Sequence, residues 1–171
     1  GLVWDKSVVY QSDHIDLYHD VLQSLRNKQL VYNCTCTRQR ISEINGIYDG
    51  QCSQKNLPLT EASSRFSINR GTQAIGCNTD EISFTDSIMG EFRQSLYNDV
   101  GDFVVLRRDG LISYQLAVVV DDYHQGITEI VRGFDLLDST PRQILLQQCL
   151  DYPAANYAHI PLALNSLGQK L

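Results

Sequence analysis

Cys34, Cys36 and Cys52 are the residues in this sequence whose types and spacing best suit chemistry. A Cys-x-Cys pair sets two soft sulfur donors on neighbouring positions of one turn. The turn-rich stretch through Gly46 and Asp49-Gly50 can fold Cys52 back towards them. Three thiolates want a fourth ligand before they close a tetrahedral zinc site. Tyr48, four residues before Cys52, is one candidate; His14 and His19, on the segment preceding the pair, are the alternatives. Spacing alone leaves both a metal site and three unconnected thiols open, because the signature is weaker than two paired Cys motifs. Cys77 and Cys149 stand apart, and Cys149 lies on the apolar side of a helical stretch, where cysteine packs as a small hydrophobe.

Tyr114 and Arg132 form a second constellation. Ile127 to Val131 reads as a strand, with Arg132 and Gly133 directly after it. The carboxyl ends of strands are where α/β folds place ligands. An arginine there can grip a carboxylate with two parallel hydrogen bonds, and a tyrosine can add a third. By themselves the residues favour an ordinary surface arginine and a core tyrosine. Asp121-Asp122 could hold a metal or bond a helix end, against the plainer reading of a solvated turn before Tyr123-His124-Gln125-Gly126. His124 reads as a polar surface residue. Arg107-Arg108 beside Asp109-Gly110 reads as a charged hairpin turn that could touch phosphate. There is no Walker lysine motif, G-x-G-x-x-G, G-x-S-x-G or H-E-x-x-H.

The elements that must position these residues follow from periodicity. Residues 12–29 predict an amphipathic helix capped by Ser12, with Ile15, Tyr18, Val21, Leu22 and Leu25 on one face. Leu30 to Tyr32 predicts a strand leading into the cysteine pair, and Thr37 caps a brief helix through Ile44. Residues 53–63 predict a loop, Arg65 to Ile68 a strand, and Ile82 to Phe84 with Ile88 to Gly90 a hairpin. Asp102 to Leu106 and Tyr157 to Ile160 predict further strands. Residues 111–122 are ambiguous, since Val118-Val119-Val120 prefers strand while Leu116-Ala117 permits helix. Residues 141–150 predict a helix started by Ser139 or Thr140 and Pro141. The mixture is α/β, with no repeat, low-complexity tract or clear linker.

The 171 residues suffice for one domain or somewhat more, and 43% hydrophobic residues can build a sizeable core. No run approaches the roughly 18 apolar residues of a membrane-spanning helix, so no membrane partner is expected. The net charge of −6, from 14 basic and 20 acidic residues, argues against a dedicated nucleic-acid-binding module. It leaves room for an enzyme that meets nucleic acid through a limited patch. Five cysteines argue against a complete disulfide framework and fit a reducing cytoplasm.

Longer runs carry a resemblance. Gly101-Asp102-Phe103-Val104-Val105-Leu106-Arg107-Arg108-Asp109-Gly110, then Ser113 to Asp122, Gly126 to Gly133 and Leu136 to Gln143 resemble class I glutamyl-tRNA synthetases in order and spacing. Tyr32-x-Cys34-Thr35-Cys36-Thr37-Arg38, with Gly46-Ile47-Tyr48-Asp49-Gly50-x-Cys52, looks like the glutamyl-queuosine tRNA(Asp) synthetase branch. The resemblance covers nearly the whole chain, most weakly between Ser53 and Tyr97. It implies a Rossmann-type catalytic domain with an inserted zinc-bearing subdomain. The division expected is a helical segment of the catalytic domain over 1–33, the zinc insert over 34–100 and the second catalytic half over 101–171. It also implies zinc held by Cys34, Cys36, Tyr48 and Cys52. ATP, with Mg, would activate glutamate, and the glutamyl group would pass to queuosine in the anticodon of tRNA(Asp). Tyr114 and Arg132 match family residues that recognise glutamate. The family's Ser-Pro-Ser-Gly segment is absent, and of its Lys-Leu-Ser-Lys-Gln loop, which serves ATP, only Lys170 and Leu171 are present. An internal fragment of the catalytic domain, inactive by itself in forming adenylate, is therefore expected. The rival readings are an ordinary glutamyl-tRNA synthetase fragment charging tRNA(Glu), and a non-catalytic zinc-stabilised binding module.

Overall fold

The computed structural model describes residues 3–4, 7–166 and 168–170. The chain forms α1 (Ile15–Asn27), β1 (Val31–Cys34), α2 (Arg38–Glu43), β2 (Ser63–Phe66), α3 (Ile68–Ala74), β3 (Glu81–Asp86), β4 (Gly90–Ser95), α4 (Leu96–Asp99), β5 (Phe103–Leu106), α5 (Tyr114–Gln125), β6 (Glu129–Gly133), α6 (Thr140–Cys149) and β7 (Asn156–Ile160). Two sheets organise it. One is antiparallel in the order β1-β2-β5. The other has the order β4-β3-β7-β6, with β3 and β4 an antiparallel hairpin and β6, β7 and β3 parallel. The unit β6-α6-β7 is a parallel crossover, which needs a helix to carry the chain back. Both sheets draw strands from either side of residue 100. Among the described residues no helix is long and apolar enough to cross a membrane.

The main core joins α1, α5 and α6 to both sheets. In α1, Tyr18, Val21, Leu22 and Leu25 are buried at three- and four-residue steps. Leu22 and Leu25 are fully enclosed, each worth about 1.5–3 kcal/mol of burial. Ile15 stays half exposed, and the stretch before it is a 3-10 turn over Gln11–His14. Ser12 does not cap the helix, because its hydroxyl bonds Asp13 instead. Phe66 and Phe103 stack at 5.3 Å and join β2 to β5.

Several boundaries move for identifiable reasons. The strand expected over Arg65 to Ile68 lies at Ser63–Phe66, because the Asp102 carboxylate accepts from the Ile68 N–H and starts α3 there. Ile88 lies in the hairpin turn and not in a strand, since Asp86 accepts from the N–H groups of Ile88 and Met89 and bends the chain. Residues 111–122 resolve mainly as helix: burial of Leu116, Ala117, Val119 and Val120 outweighs the strand preference of the valines. Asp121-Asp122 thus sits inside α5 and not in a turn. Asp121 accepts from Tyr18 at 2.5 Å and Gln11 at 2.7 Å, tying α1 to α5. Thr37 caps α2 as expected, accepting from the Arg40 N–H. Ser139 makes no cap bond, because Phe134–Ser139 is a 3-10 turn that runs directly into α6.

Candidate metal centre and carboxylate site

β1 runs two residues past the expected end at Tyr32 and finishes on Cys34, which is fully buried. The chain leaves the strand through Thr35 and Cys36, makes α2, and returns through turns at Gly46 and Gly50 to bring Tyr48 and Cys52 inward. Tyr32, Cys34, Tyr48 and Cys52 form a small core separate from the main one. The sulfurs of Cys34, Cys36 and Cys52 lie within 4.8 Å of one another. Cys36 and Cys52 are 3.6 Å apart, and the Tyr48 hydroxyl lies 3.3 Å from Cys34 Sγ and 3.7 Å from Cys36 Sγ. A tetrahedral zinc at about 2.3 Å from sulfur and 2.0 Å from oxygen separates its sulfurs by about 3.8 Å and sulfur from oxygen by about 3.5 Å. The donor set fits that tetrahedron. Among the described residues it is the one such group, so His14 and His19 supply no ligand to it.

Protonation differs among the donors. Burial and hydrogen bonds to Cys34, Cys52 and Cys36 push the Tyr48 phenol far above its ordinary value. Burial pushes the Cys36 thiol up. Burial opposes ionisation of Cys52 too, but hydrogen bonds from Tyr48, the Thr35 N–H, Cys36 and Cys34 bring it down to about 7. The Arg65 guanidinium lies 4.0 Å from the centre of the Tyr48 ring, a cation–π contact that fixes the ring's tilt. Arg65 is held by the Asp102 carbonyl at 2.7 Å, and the Asp102 carboxylate accepts from Tyr32 at 2.6 Å.

Gly101 locks Tyr48 from the other side. The two pair as an isolated parallel bridge, and Gly101 has φ +69°. A Cβ there would stand 2.6 Å from both the N and the O of Tyr48. Gly101→Ala is expected to cost about 2–5 kcal/mol, from left-handed strain plus the backbone clash. Gly46→Ala, at φ +81° with open space around it, is expected to cost only the strain, about 1–2 kcal/mol. Urea denaturation of the two variants checks this; equal losses would mean that close packing on Tyr48 does not matter.

The second site centres on Arg132. The residue lies within β6 and not after it, in register with His159 of β7. Arg132 Nε donates to His159 Nε2 at 3.0 Å, and Nη2 donates to Thr140 Oγ1 at 2.8 Å. An imidazole accepting at Nε2 carries its proton on Nδ1, which lies 2.6 Å from Asp86 Oδ2. Asp86 also accepts from the N–H groups of His159, Ile88 and Met89. The side chains of His159 and Asp86 are wholly buried. Burial alone would raise the Asp86 carboxyl, but the donors on Met89, His159 and Ile88 outweigh it and hold the group well below its ordinary range. Arg132 Nη1 has no partner among the described residues. The guanidinium is thus braced on two nitrogens and leaves the third unbonded among the described residues.

Tyr114 opens α5 and is 46% exposed. The structure places no hydrogen bond between it and Arg132. The link is indirect: Gln115 bonds Ser139 and Gln143 at the start of α6, next to Thr140. Lys170 bonds Asp135 at 2.6 Å across the surface, and Leu171 lies outside the described residues. Cys149 packs in the core against the Gly71 carbonyl, where burial raises its thiol to about 11, and Cys77 bonds Thr79. His124 is exposed and stacks edge-on against Tyr123. Sequence reasoning missed Asp86, His159 and Thr140 as braces of Arg132. Nothing in their local spacing announces them, since they come from three separate elements.

Known proteins resemble the chain throughout. It is 47% identical over 171 residues to the Glutamyl-Q tRNA(Asp) synthetase of Acinetobacter baylyi, covering all of this chain and 55% of that protein. It is 46% identical to the proteins of that name from Yersinia pseudotuberculosis and Pseudomonas putida, covering 49% and 54% of them. The chain therefore spans about half the length of the curated relatives it matches. Among solved structures, a glutamate tRNA ligase from Elizabethkingia meningosepticum in complex with its amino acid superposes with a TM-score of 0.73 at 22% identity, over 94% of this chain and 35% of that one. The Glutamate-tRNA Synthetase of Elizabethkingia anophelis superposes equally well, at 23% identity. These two likenesses establish the fold. The model of one family, tRNA synthetases class I (E and Q), catalytic domain, matches residues 1–171, and the chain belongs to that family.

Proposed function

We propose that the protein to which this chain belongs activates glutamate with ATP and transfers the glutamyl group to queuosine in tRNA(Asp). The observation that carries this reading is the 46–47% identity, over every residue of the chain, to relatives named for that activity. In the first step the glutamate carboxylate attacks the α-phosphorus of ATP and pyrophosphate leaves. In the second the glutamyl group moves from the adenylate to queuosine and AMP is released. Neither step requires a side-chain nucleophile; the protein's task is to hold reactants in line and stabilise charge. Arg132 would grip a glutamate carboxylate through its free Nη1 edge, with Tyr114 as a further hydrogen-bonding partner. Lys170 and Leu171 would begin the loop that serves ATP, and Mg would accompany the nucleotide.

Cys34, Cys36, Tyr48 and Cys52 would hold zinc. A site closed by four protein ligands has no position for substrate, so the ion would fix the subdomain's shape and take no part in the reaction. Zinc analysis tests this: about one zinc per chain is expected, lost in Cys52→Ala.

The functional test uses the complete gene product. Glutamate-dependent exchange of pyrophosphate into ATP is expected, followed by transfer of labelled glutamate to tRNA(Asp) only when the tRNA carries queuosine. Glutamate on the 3′ end of tRNA(Glu) would make this an ordinary glutamyl-tRNA synthetase. Absence of exchange would leave a zinc-stabilised binding module.

A further inference from the structure

The positive charge of this acidic chain is unevenly placed. Arg38, Arg65, Arg107 and Arg108 line one cavity of about 510 Å³ beside Cys36, and the single carboxylate in its lining is Asp109. The four arginines come from α2, β2 and the turn after β5, so the fold gathers them. Asp109 pairs with Arg107 at the surface and offsets one of the four positive charges, leaving the lining with a positive excess. Arg65 is more than nine-tenths buried, and its Nε–H has no partner among the described residues. The Asp102 carbonyl and the Tyr48 ring hold this guanidinium in place, so its positive charge is a fixed part of the cavity lining. Arg108 donates to the Thr35 carbonyl at 3.0 Å, between Cys34 and Cys36, so the cysteine cluster sets where this guanidinium points.

We infer that this cavity is a phosphate-docking site for the sugar-phosphate backbone of RNA. Guanidinium forks match phosphate oxygens with paired hydrogen bonds. No aromatic ring lines the cavity, so it offers no platform on which a base could stack. That combination grips backbone and sets orientation without reading sequence. It also shows how a chain with a net charge of −6 can approach a polyanion: through one local basic surface. Naming the RNA as tRNA rests on the proposed function; the anion site rests on the arginines alone.

The test compares the complete wild-type protein with the double variant Arg107→Gln/Arg108→Gln. Both residues are exposed, so folding should survive, and unchanged thermal unfolding and zinc content verify that it does. Affinity for tRNA(Asp) is measured between 50 and 200 mM salt. Each lost phosphate contact on a duplex makes the slope of log K against log salt less negative by about 0.9. The variant should bind about tenfold or more weakly at low salt, with the slope reduced by about 1–2, while glutamate-dependent pyrophosphate exchange stays at the wild-type rate. A wild-type protein that activates glutamate and binds tRNA, with a variant of the same affinity and slope, overturns the docking site. Weaker use of ATP in pyrophosphate exchange, with tRNA binding intact, also overturns it and makes the cavity a nucleotide site. A wild-type protein that neither activates glutamate nor binds tRNA fails the functional reading instead.

Discussion

Asp86→Ala is expected to destabilise the fold by about 3–5 kcal/mol, the range for removing one partner of a buried polar pair. The substitution strands four donors at once: the N–H groups of Ile88, Met89 and His159, and His159 Nδ1. Two belong to the β3–β4 turn and two to β7, so one carboxylate closes a hairpin and joins it to the neighbouring strand. His159 is fully buried, and water cannot replace the lost acceptor without opening the core. Urea denaturation of the protein is the measurement, and a loss below about 1 kcal/mol would mean the network is incidental to folding.

The same carboxylate sets an acid limit. Its folded pKa is depressed below the ordinary 3.8, so its stabilisation is complete above that value and is lost as pH falls towards the folded pKa. Wild-type stability should therefore lack any contribution to pH dependence from Asp86 between neutrality and about pH 5, then fall steeply below about pH 4. Asp86→Asn, which cannot ionise, should begin less stable and show a shallower acid limb. Parallel limbs in the two proteins would rule out Asp86 as a main source of the acid loss.

How much of this was legible in the sequence depends on how local each cause is. The cap at Thr37, the turns at Gly46 and Gly50, and the α1 face through Tyr18, Leu22 and Leu25 are short-range features that periodicity reports. The approach of Cys52 to the Cys-x-Cys pair was legible as a possibility, because the turn residues between them lie within one short segment. The placing of the Tyr48 hydroxyl beside those sulfurs was not legible in spacing, which left His14 and His19 open as well, since it depends on packing beneath Arg65 and against Gly101. The start of α3 at Ile68 is fixed by Asp102, which is distant in sequence. The helical outcome at Val118 to Val120 likewise comes from burial against the rest of the core. Arg132 was visible as an arginine near a strand end, but its brace was invisible, because β3, α6 and β7 each contribute one member.

That brace makes Arg132 the residue whose loss should matter most to activity. Arg132→Ala in the complete protein is expected to lower kcat/KM for glutamate in pyrophosphate exchange by about 30- to 4,000-fold. Removing a charged partner from a carboxylate costs about 2–5 kcal/mol, and each 1.4 kcal/mol is a factor of ten. Most of the loss should appear in KM if the arginine grips glutamate equally in the ground and transition states. Arg132→Lys keeps the charge, but its donors sit on one nitrogen and lack the guanidinium's planar spread towards His159, Thr140 and a substrate carboxylate, so an intermediate loss of about 10- to 100-fold is expected. Thr140→Val removes the contact to Nη2, along with the hydroxyl's longer contacts to His159 Nε2 and the Leu136 carbonyl, and leaves the guanidinium freer to rotate. It should raise KM for glutamate several-fold, leave KM for ATP unchanged, and cost about 1 kcal/mol of stability. The order Ala, Lys, Val in decreasing severity, confined to glutamate, follows from one braced arginine with one free edge. An Arg132→Ala enzyme with unaltered glutamate kinetics would place carboxylate recognition elsewhere in the protein and leave Arg132, Thr140 and His159 as a structural network only.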